Sequence, residues 1–269
     1  MSAPAATGFM EIDRVRLEYV WHGPPPEAQP TIVLMHEGLG CVAAWRDFPR
    51  ALADATGCGV LAYSRQGYGA SDPVPRPVSH MHDEAEQVLP KVIDHWGLKK
   101  VFLVGHSDGA SIAAIYAGGV QDHRVRGLVL MTPHFFNEEA CIAGVTRTKT
   151  AYESGDLKQK LARHHGSNVD LAFCGWSEAW LDPGFRDWSI VDRLQYIRIP
   201  VVLIWCAKDP YASLDQVEAA REACTCPLEV VVLEDGIHWP FREESDRTLD
   251  AVNSFISRMM IMHGETVSP

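Results

Sequence analysis

Short apolar runs alternate with amphipathic stretches along most of this sequence, and that alternation is what most constrains its fold. The apolar runs are rich in β-branched residues and lie at residues 31–35, 59–63, 101–104, 125–131, 200–205 and 228–233. Runs of this length predict strands that are buried on both faces. Because strands that alternate with helices pair in parallel, the sequence predicts an α/β fold with a mostly parallel, doubly wound central sheet and helices on both faces.

The amphipathic stretches supply the helices of this predicted fold. They lie at residues 45–55, 79–96, 110–117, 214–223 and 243–260, and Gly57, Gly97 and Gly118 are placed as helix stop signals. Ahead of the first central strand, residues 9–21 alternate apolar with polar side chains, which predicts an antiparallel start to the sheet. We therefore expect about eight strands in all.

One long stretch interrupts the alternation of strands and helices. Residues 135–196 contain no apolar strand run, and they are rich in Trp and Phe. A strandless stretch of this length is too long for a simple loop, so it predicts a helical insertion over one end of the sheet. We expect a core domain formed by residues 1–134 and 197–269, and a helical cap, or lid, formed by residues 135–196.

The net charge of the chain limits the classes of partner that it can bind. The formal net charge of −11 creates a field that repels phosphate backbones and anionic lipid surfaces. No stretch approaches the run of about 18 apolar residues that spans a bilayer, and the start of the sequence lacks a basic segment followed by an apolar one. We expect a small-molecule substrate, no nucleic-acid partner and no membrane, in a monomer or a homo-oligomer.

The cysteines indicate the compartment. There are seven of them, an odd number scattered along the chain, which fits reduced thiols and a cytoplasmic location. Cys224 and Cys226 are close together, but their spacing is one residue short of a CxxC motif and no second pair accompanies them. We therefore expect no metal site.

A Gly-x-Ser-x-Gly motif lies at the corner between a predicted strand and a predicted helix. Gly105 and Gly109 flank Ser107, the strand 101–104 comes directly before, and the helix 110–117 follows. Two glycines allow a turn tight enough to present the serine hydroxyl above the strand ends, beside a positive helix N-terminus. The pattern alone is common by chance, so its context carries the prediction of a nucleophile.

A serine nucleophile needs a base, and the base needs a carboxylate that fixes its tautomer. Asp209 follows the predicted strand 200–205, and His238 follows the predicted strand 228–233, so both are expected at the same edge of the sheet as the serine. Glu138 and Glu139 are rival carboxylates after the strand 125–131, but they lie several residues beyond it. Asp235 is close to His238 in sequence and is expected to support the turn.

The amides that would stabilise an oxyanion come from two loops. One is the backbone N–H of Asp108, directly after the serine. The second is expected from His36-Glu37-Gly38-Leu39-Gly40, with Gly38 favoured and Glu37 as the alternative. A carboxylate beside an oxyanion would oppose its charge, so we expect the Glu37 side chain to point outward into a hydrogen-bond network. The alternative is that Glu37 tunes the site for a cationic or hydroxylated substrate.

Together these motifs resemble those of the α/β-hydrolase fold superfamily, and most of all its capped, cofactor-free hydrolases. The resemblance spans nearly the whole chain and rests on HEGLG, on the stretch 63–72, on GHSDGAS, on Asp209 and on GIHWP. It implies that Ser107 is the nucleophile, Asp209 the acid and His238 the base. It also implies that Asp108 and the HEGLG loop form the oxyanion hole and that no cofactor is required.

The sequence departs from the family pattern in two places. Members commonly have His-Gly where this chain has His36-Glu37, which leaves open which amide points inward. They often have Asp at the position of Ser64, which bears on loop packing. Members that cleave epoxides or carbon–halogen bonds carry a carboxylate at the nucleophile position, so Ser107 argues against those reactions.

The predicted function is hydrolysis of a carboxylic ester, or a lactone, through an acyl-enzyme. The aromatic insertion suggests a small to medium, apolar or aromatic substrate. The same aromatic residues fit equally well a small hydrophobic core that holds the lid on the sheet. The candidate pocket residues are Tyr211, Trp239, Trp176, Trp180 and Phe136. Hydrolysis of a carbon–carbon bond in a diketone or ring-cleavage product is an alternative, because the same triad can hydrate a ketone. A ligand-binding protein with little turnover is another.

Overall fold

An eight-stranded sheet forms the centre of the computed structural model, which describes residues 6–74 and 80–265. The strands are β1 (Thr7–Ile12), β2 (Val15–His22), β3 (Thr31–Met35), β4 (Gly59–Tyr63), β5 (Val101–His106), β6 (Val125–Met131), β7 (Val201–Cys206) and β8 (Leu228–Leu233). Their order across the sheet is β1-β2-β4-β3-β5-β6-β7-β8. The expected number of strands is confirmed.

The sheet begins antiparallel and continues parallel. β1 pairs antiparallel with β2, and β2 pairs antiparallel with β4. All later pairs, from β4 with β3 to β7 with β8, are parallel. Every residue of β3, β4, β5 and β7 is buried, as expected for β-branched strands covered on both faces. The predicted α/β class and the antiparallel start are confirmed.

The helices lie where the amphipathic stretches predict them, with shifted ends. The α-helices are α1 (Phe48–Thr56), α2 (His80–Asp83), α3 (Leu89–His95), α4 (Asp108–Gly119), α5 (Glu139–Ser154), α6 (Leu157–His165), α7 (Val169–Leu181), α8 (Val191–Leu194), α9 (Asp215–Ala223), α10 (Pro240–Glu243) and α11 (Ser245–Met262). The helix expected over 79–96 is divided, because a π-helical turn, Glu84–Val88, separates α2 from α3; residue 79 lies outside the described residues. The helix expected over 243–260 is preceded by the short α10.

Two hydrophobic cores cover the two faces of the sheet. One contains buried residues of α1 and α11, such as Leu52, Val252 and Phe255, which pack against the side chains of the central strands on that face. The other contains α3, α4 and the helices that connect β6 to β7. The functional edge is the end of the sheet where the parallel strands terminate, between these two layers.

Helices α5 to α8 connect β6 to β7, and we call residues 139–194 the helical segment. It packs around an aromatic cluster in which the Trp180, Phe185 and Trp188 rings lie 5.0 to 5.5 Å apart, centroid to centroid. Another pair, Tyr152 and Phe173, stacks at 3.6 Å. These rings belong to the hydrophobic core that covers this face of the sheet, so the segment is packed onto the core domain.

Within residues 6–74 and 80–265, no helix has the length and apolarity needed to cross a membrane.

Candidate active site

Ser107 occupies a tight turn between β5 and α4. Its backbone has φ 51° and ψ −118°, a strained conformation for a residue other than glycine. A Cβ on Gly105 would collide with the carbonyl of Gly109, and a Cβ on Gly109 would collide with the carbonyl of Met35. Glycine is therefore required at both positions, and their close approach places the serine turn against the end of β3.

Backbone hydrogen bonds hold this turn in place. The amide of Ser107 donates to the carbonyl of Met131 at 2.9 Å, which ties the turn to the neighbouring strand β6. The carbonyl of Ser107 accepts from the amides of Ala110 and Ser111, which begin α4. The strain in the turn is thus sustained by hydrogen bonds on both sides.

Asp209 and His238 meet at the same edge of the sheet. His238 Nδ1 lies 2.7 Å from Asp209 Oδ2, and both side chains are almost completely buried. The other carboxylate oxygen of Asp209 accepts from the amide of Tyr211 at 2.8 Å. The carboxylate is therefore fixed through both oxygens, and it orients the ring of His238 through one of them.

The environment of His238 shifts its protonation. Burial lowers the pKa of His238, but the Asp209 carboxylate raises it by more, through its charge and its hydrogen bond. The pKa of His238 therefore lies above its ordinary value of 6.5.

Two further residues hold the backbone of the turn that carries His238, and sequence reasoning missed both. The carboxylate of Glu243 accepts from the amides of Ile237, His238 and Trp239, at 2.6, 3.0 and 3.2 Å. His106 Nε2 lies 2.7 Å from the His238 carbonyl oxygen, and the ring of His106 is fully buried. The His106 contact has no spacing signal in the sequence, because it depends on how separate strand ends meet. Glu243 lies only four to six positions after the amides it accepts from, so its local spacing is a signal that could have indicated it.

Ser107 and His238 line one cavity of about 600 Å³. Among the hydrogen bonds of the described residues there is none between the Ser107 hydroxyl and the His238 ring. Hydrogen bonds of this kind are often long in resting sites and tighten when a substrate binds. The shared cavity is therefore the geometric link between the two side chains.

The two loops expected to supply oxyanion donors also line this cavity, through Gly38, Glu37 and Asp108. Within the described residues, the amides of Gly38 and Asp108 donate no hydrogen bond, so both are available to a ligand. A Cβ on Gly38 would collide with the indole of Trp176, which explains the glycine at this position. The amide of Glu37 likewise has no acceptor in this part of the structure.

The side chain of Glu37 does not point outward, as the sequence led us to expect. Its carboxylate lies at the cavity wall and accepts from the amide of Leu39 at 2.7 Å and from Trp239 Nε1 at 3.4 Å. The two donors hold the charge in place beside the cavity. The expected hydrogen bonds are present, but the side chain points toward the cavity and not outward.

The Asp108 side chain has partners that no sequence pattern indicates. Its carboxylate accepts from Trp180 Nε1 of α7 at 3.2 Å, and His80 Nε2 lies 3.5 Å from its other oxygen. Burial raises the pKa of Asp108, but His80 and Arg65 lower it by more, to about 2. Asp108 is thus a buried anion that joins the serine turn to the helical segment.

The rival carboxylates are engaged elsewhere. Glu138 accepts from Gln216 Nε2 at 2.7 Å, and Glu139 pairs with Arg186. Asp235 forms an ion pair with Lys208 at 2.6 Å. In the part of the chain that the structure describes, none of the three has a hydrogen bond with His238.

Four of the five candidate pocket residues line the cavity: Trp176, Trp180, Tyr211 and Trp239. Phe136 does not, and its assignment to the pocket is wrong. Its backbone forms a bridge with Ser189, and its carbonyl accepts from Gln216 Nε2 at 3.1 Å. These contacts hold Phe136 at the base of the helical segment, away from the cavity.

Metal ligands are not clustered in this structure. Over the described ranges, no group of three or more His, Cys, Asp or Glu side chains is arranged to hold a metal ion.

Comparison with known proteins shows what this chain is similar to. The family model described as alpha/beta hydrolase fold matches residues 30–144. Epoxide hydrolase B of Mycobacterium tuberculosis is 32% identical over 102 residues, which are 38% of this chain and 28% of that protein. The chain thus matches less than a third of that relative's length.

Solved structures extend the likeness to almost the whole chain. A carboxylesterase of the thaumarchaeon Nitrososphaera gargenis has a TM-score of 0.75 at 18% identity, and covers 94% of this chain and 99% of its own. The enol-lactonase of Burkholderia xenovorans has a TM-score of 0.70 at 18% identity, and covers 93% and 100%. At this identity the likeness shows the fold. With its eight-stranded sheet and the family model that matches residues 30–144, the chain has the α/β-hydrolase fold.

Proposed function

We propose that this protein is a serine hydrolase that cleaves a carboxylic ester or lactone through a Ser107-His238-Asp209 triad. The observation that carries the proposal is that a serine in a strained turn shares a cavity with an imidazole whose Nδ1 is bonded to a buried carboxylate. This arrangement supplies a nucleophile, a base for its proton and a group that stabilises the charged base.

The first half of the reaction forms an acyl-enzyme. Ser107 Oγ attacks the ester carbonyl carbon, and its proton passes to His238 Nε2. Asp209 stabilises the imidazolium that results. The tetrahedral intermediate then breaks its bond to the leaving oxygen, which takes the proton from His238 and departs as the alcohol.

The second half repeats the sequence with water. Water loses a proton to His238 and attacks the acyl carbon, and the Ser107 oxygen leaves with the proton that His238 returns. The products are the carboxylic acid and the free serine hydroxyl, so no oxidant, reductant or cofactor enters the balance.

The oxyanion of each intermediate is held by backbone amides. Asp108 and Gly38 are the proposed donors, with Glu37 as the alternative to Gly38. The absence of other acceptors for these amides in the described residues supports this assignment. Removal of a donor of this kind costs about 3 to 4 kcal/mol of transition-state stabilisation in known cases.

The helical segment is proposed as the cap of this site. It contributes Trp176, Trp180 and the apolar side chains of Val145 and Leu161 to the cavity wall. A wall of this composition supports a small to medium substrate with an apolar or aromatic body, because such surfaces exclude water around the reacting ester.

All seven cysteines are free thiols, which supports the proposed cytoplasmic location.

Epoxide opening is the activity named for the curated relatives, and the residues here favour ester hydrolysis over it. That reaction needs a carboxylate nucleophile, whereas the nucleophile position of the turn is occupied here by Ser107. The neighbouring Asp108 carboxylate is buried and bonded to Trp180. The names of a carboxylesterase and an enol-lactonase among the structural neighbours are consistent with a serine mechanism.

A fluorophosphonate probe and a panel of 4-nitrophenyl esters graded by acyl length test the proposal. We expect stoichiometric labelling and ester hydrolysis by the unaltered protein. In Ser107→Ala, labelling should be lost and kcat should fall by about 10⁴-fold or more.

Ser111→Ala is the matched control, because Ser111 lies one helical turn further along α4 and bonds to the His134 carbonyl. It should label like the unaltered chain. Styrene oxide, assayed in parallel, tests epoxide opening. A folded protein that hydrolyses none of the esters and never reacts with the probe would contradict the proposal.

A further inference from the structure

The cavity changes character between its inner part and its opening. Apart from the candidate catalytic residues, Asp108 and His134, the buried part of its wall is apolar and aromatic, with Cys141, Val145, Trp176 and Trp180. The exposed and half-buried part carries cations, and we call Arg46, Arg147, Lys160 and Arg242 the cationic rim. In a chain with a formal net charge of −11, four cations around one opening are an exception to the surrounding field.

The three arginines of the rim differ from Lys160 in their pairing. In the described residues, none of the arginines forms an ion pair, whereas Lys160 pairs with Asp156 at 2.8 Å. That pair joins exposed side chains on neighbouring turns, so it holds Lys160 only weakly. Glu37 is the cavity carboxylate whose charge acts on Arg242, and its own oxygens are bonded to Leu39 and Trp239.

The arginines are positioned by backbone carbonyls and aromatic rings. Arg242 Nη2 donates to the Ala44 carbonyl at 2.5 Å, and its guanidinium lies over the Phe241 ring at 5.3 Å. Its Nε is buried and has no hydrogen-bond acceptor among the residues that the structure describes. Such contacts fix a guanidinium in space while leaving donors for an anion.

Arg46 and Arg147 face the opening from two different parts of the fold. Arg46 follows the short 3-10 helix Val42–Trp45 and has φ 54°, a strained value for a residue with a side chain. Arg147 belongs to α5 and donates from Nη2 to the Pro210 carbonyl at 2.9 Å, directly after Asp209. The rim therefore combines cations of the core with cations of the helical segment.

From this rim we infer that the substrate is an anion, an ester whose apolar body ends in an oxyanion group, carboxylate or phosphate, away from the scissile bond. The inference rests on the proposed function and names its substrate class. The apolar inner wall takes the body of the molecule, and the guanidinium groups at the opening take the charged end, since their planar forks match oxyanions.

Matched esters test the substrate class. The 4-nitrophenyl hydrogen esters of adipic and suberic acid carry a free carboxylate, and the same esters capped as methyl esters do not; nitrophenolate release reports the same bond in both. We expect kcat/KM for the anionic esters to exceed that for the capped esters by about tenfold or more. The preference should weaken as ionic strength rises.

Variants of the rim tie the preference to these residues. Arg46→Gln and Arg147→Gln change exposed side chains, and in the double variant the ratio of anionic to capped kcat/KM should fall to about one. Arg242 is half-buried, and loss of its side chain would disturb the turn, so Arg242→Lys is used because it keeps the charge. This variant should retain most of the ratio of anionic to capped kcat/KM. Arg258→Gln, on α11 and paired with Glu229, is the control and should leave the ratio unchanged.

Binding separates a failure of this inference from a failure of the proposed function. Octanoate and octyl phosphate should bind the unaltered protein about tenfold more tightly than octanol, and the double variant should lose that difference. Which of the two anions binds more tightly identifies the head group. An unaltered protein that turns over esters but prefers capped ones, or that binds octanol as well as either anion, would overturn the anionic substrate.

Discussion

The two walls of the cavity are built in different ways. The core wall is made largely from backbone: the strained turn at Ser107, the free amides near Gly38 and the strand ends that bring His238 to Asp209. The wall formed by the helical segment is made from side chains of α5, α6 and α7. Backbone geometry fixes the chemistry to within a small tolerance, whereas the side chains opposite decide which molecule reaches it.

This difference predicts where substitutions act. Changes in the core wall should abolish or slow turnover of every substrate. Changes in the helical segment should alter selectivity and stability, because its residues line the cavity and Trp180 bonds to the buried Asp108 carboxylate. The following substitutions and titration test this division.

Asp209→Asn should have the largest effect. The asparagine amide cannot stabilise an imidazolium and favours the wrong tautomer of His238, so kcat should fall by about 10⁴-fold at neutral pH. Steady-state hydrolysis of a 4-nitrophenyl ester measures it. Asp235→Asn is the matched control, because Asp235 lies three positions before His238 and pairs with Lys208 instead. Equal losses in the two variants would remove Asp209 from the mechanism.

Gly38→Ala should cost about 10² to 10³-fold in kcat, comparable to removal of one oxyanion donor. The new Cβ collides with the Trp176 indole and pushes the loop out of position. The double variant Gly38→Ala/Trp176→Ala removes the obstacle and should recover part of the loss. A single variant with full activity would show that the Gly38 amide does not serve the intermediate.

Trp180→Phe should lower the free energy of unfolding by about 1 to 3 kcal/mol, because it leaves the buried Asp108 carboxylate without its indole donor. Urea denaturation measures this effect. Trp188→Phe, the same change in the same aromatic cluster, loses a bond to His82 at a half-buried position and should cost less. Equal losses would mean that Asp108 does not depend on Trp180.

Acidification should have the smallest effect of these changes. Below the pKa of His238, kcat/KM should fall tenfold for each pH unit. His238 must be neutral to accept the serine proton. Because Asp209 raises the pKa of His238 above 6.5, activity should begin to fall at a pH above that value as the solution is acidified. In Asp209→Asn the acid limb should move to lower pH. An acid limb below pH 6 in the unaltered protein would contradict the assignment.

The sequence predicted the core wall better than the helical segment, for a physical reason. Buried strands and the Gly105-x-Ser107-x-Gly109 turn have strong local patterns, because sheet burial and a tight turn each demand particular residues at fixed spacing. The placement of Asp209 and His238 at one edge follows from parallel topology alone. The fold class is confirmed by the structure, and the triad assignment stays a prediction until the serine is tested.

The helical segment gave no comparable signal. How each of its helices is rotated depends on packing against the core, so its aromatic residues could be recognised while their directions could not. Phe136 does not line the cavity, and Trp180 lines it while bonding to Asp108, a contact that no sequence pattern indicates. The cationic rim combines residues from three separate parts of the chain, and no local pattern marks such a set.

The bond between Trp180 and Asp108 also bears on how molecules enter and leave. Asp108 directly follows the serine, so the helix above the cavity and the turn below it share one dehydrated anion. A rigid swing of α7 would strand that anion where water does not replace the lost donor. Passage beside the arginines avoids this cost, so molecules can enter and leave through the opening while the turn of Ser107 keeps its position.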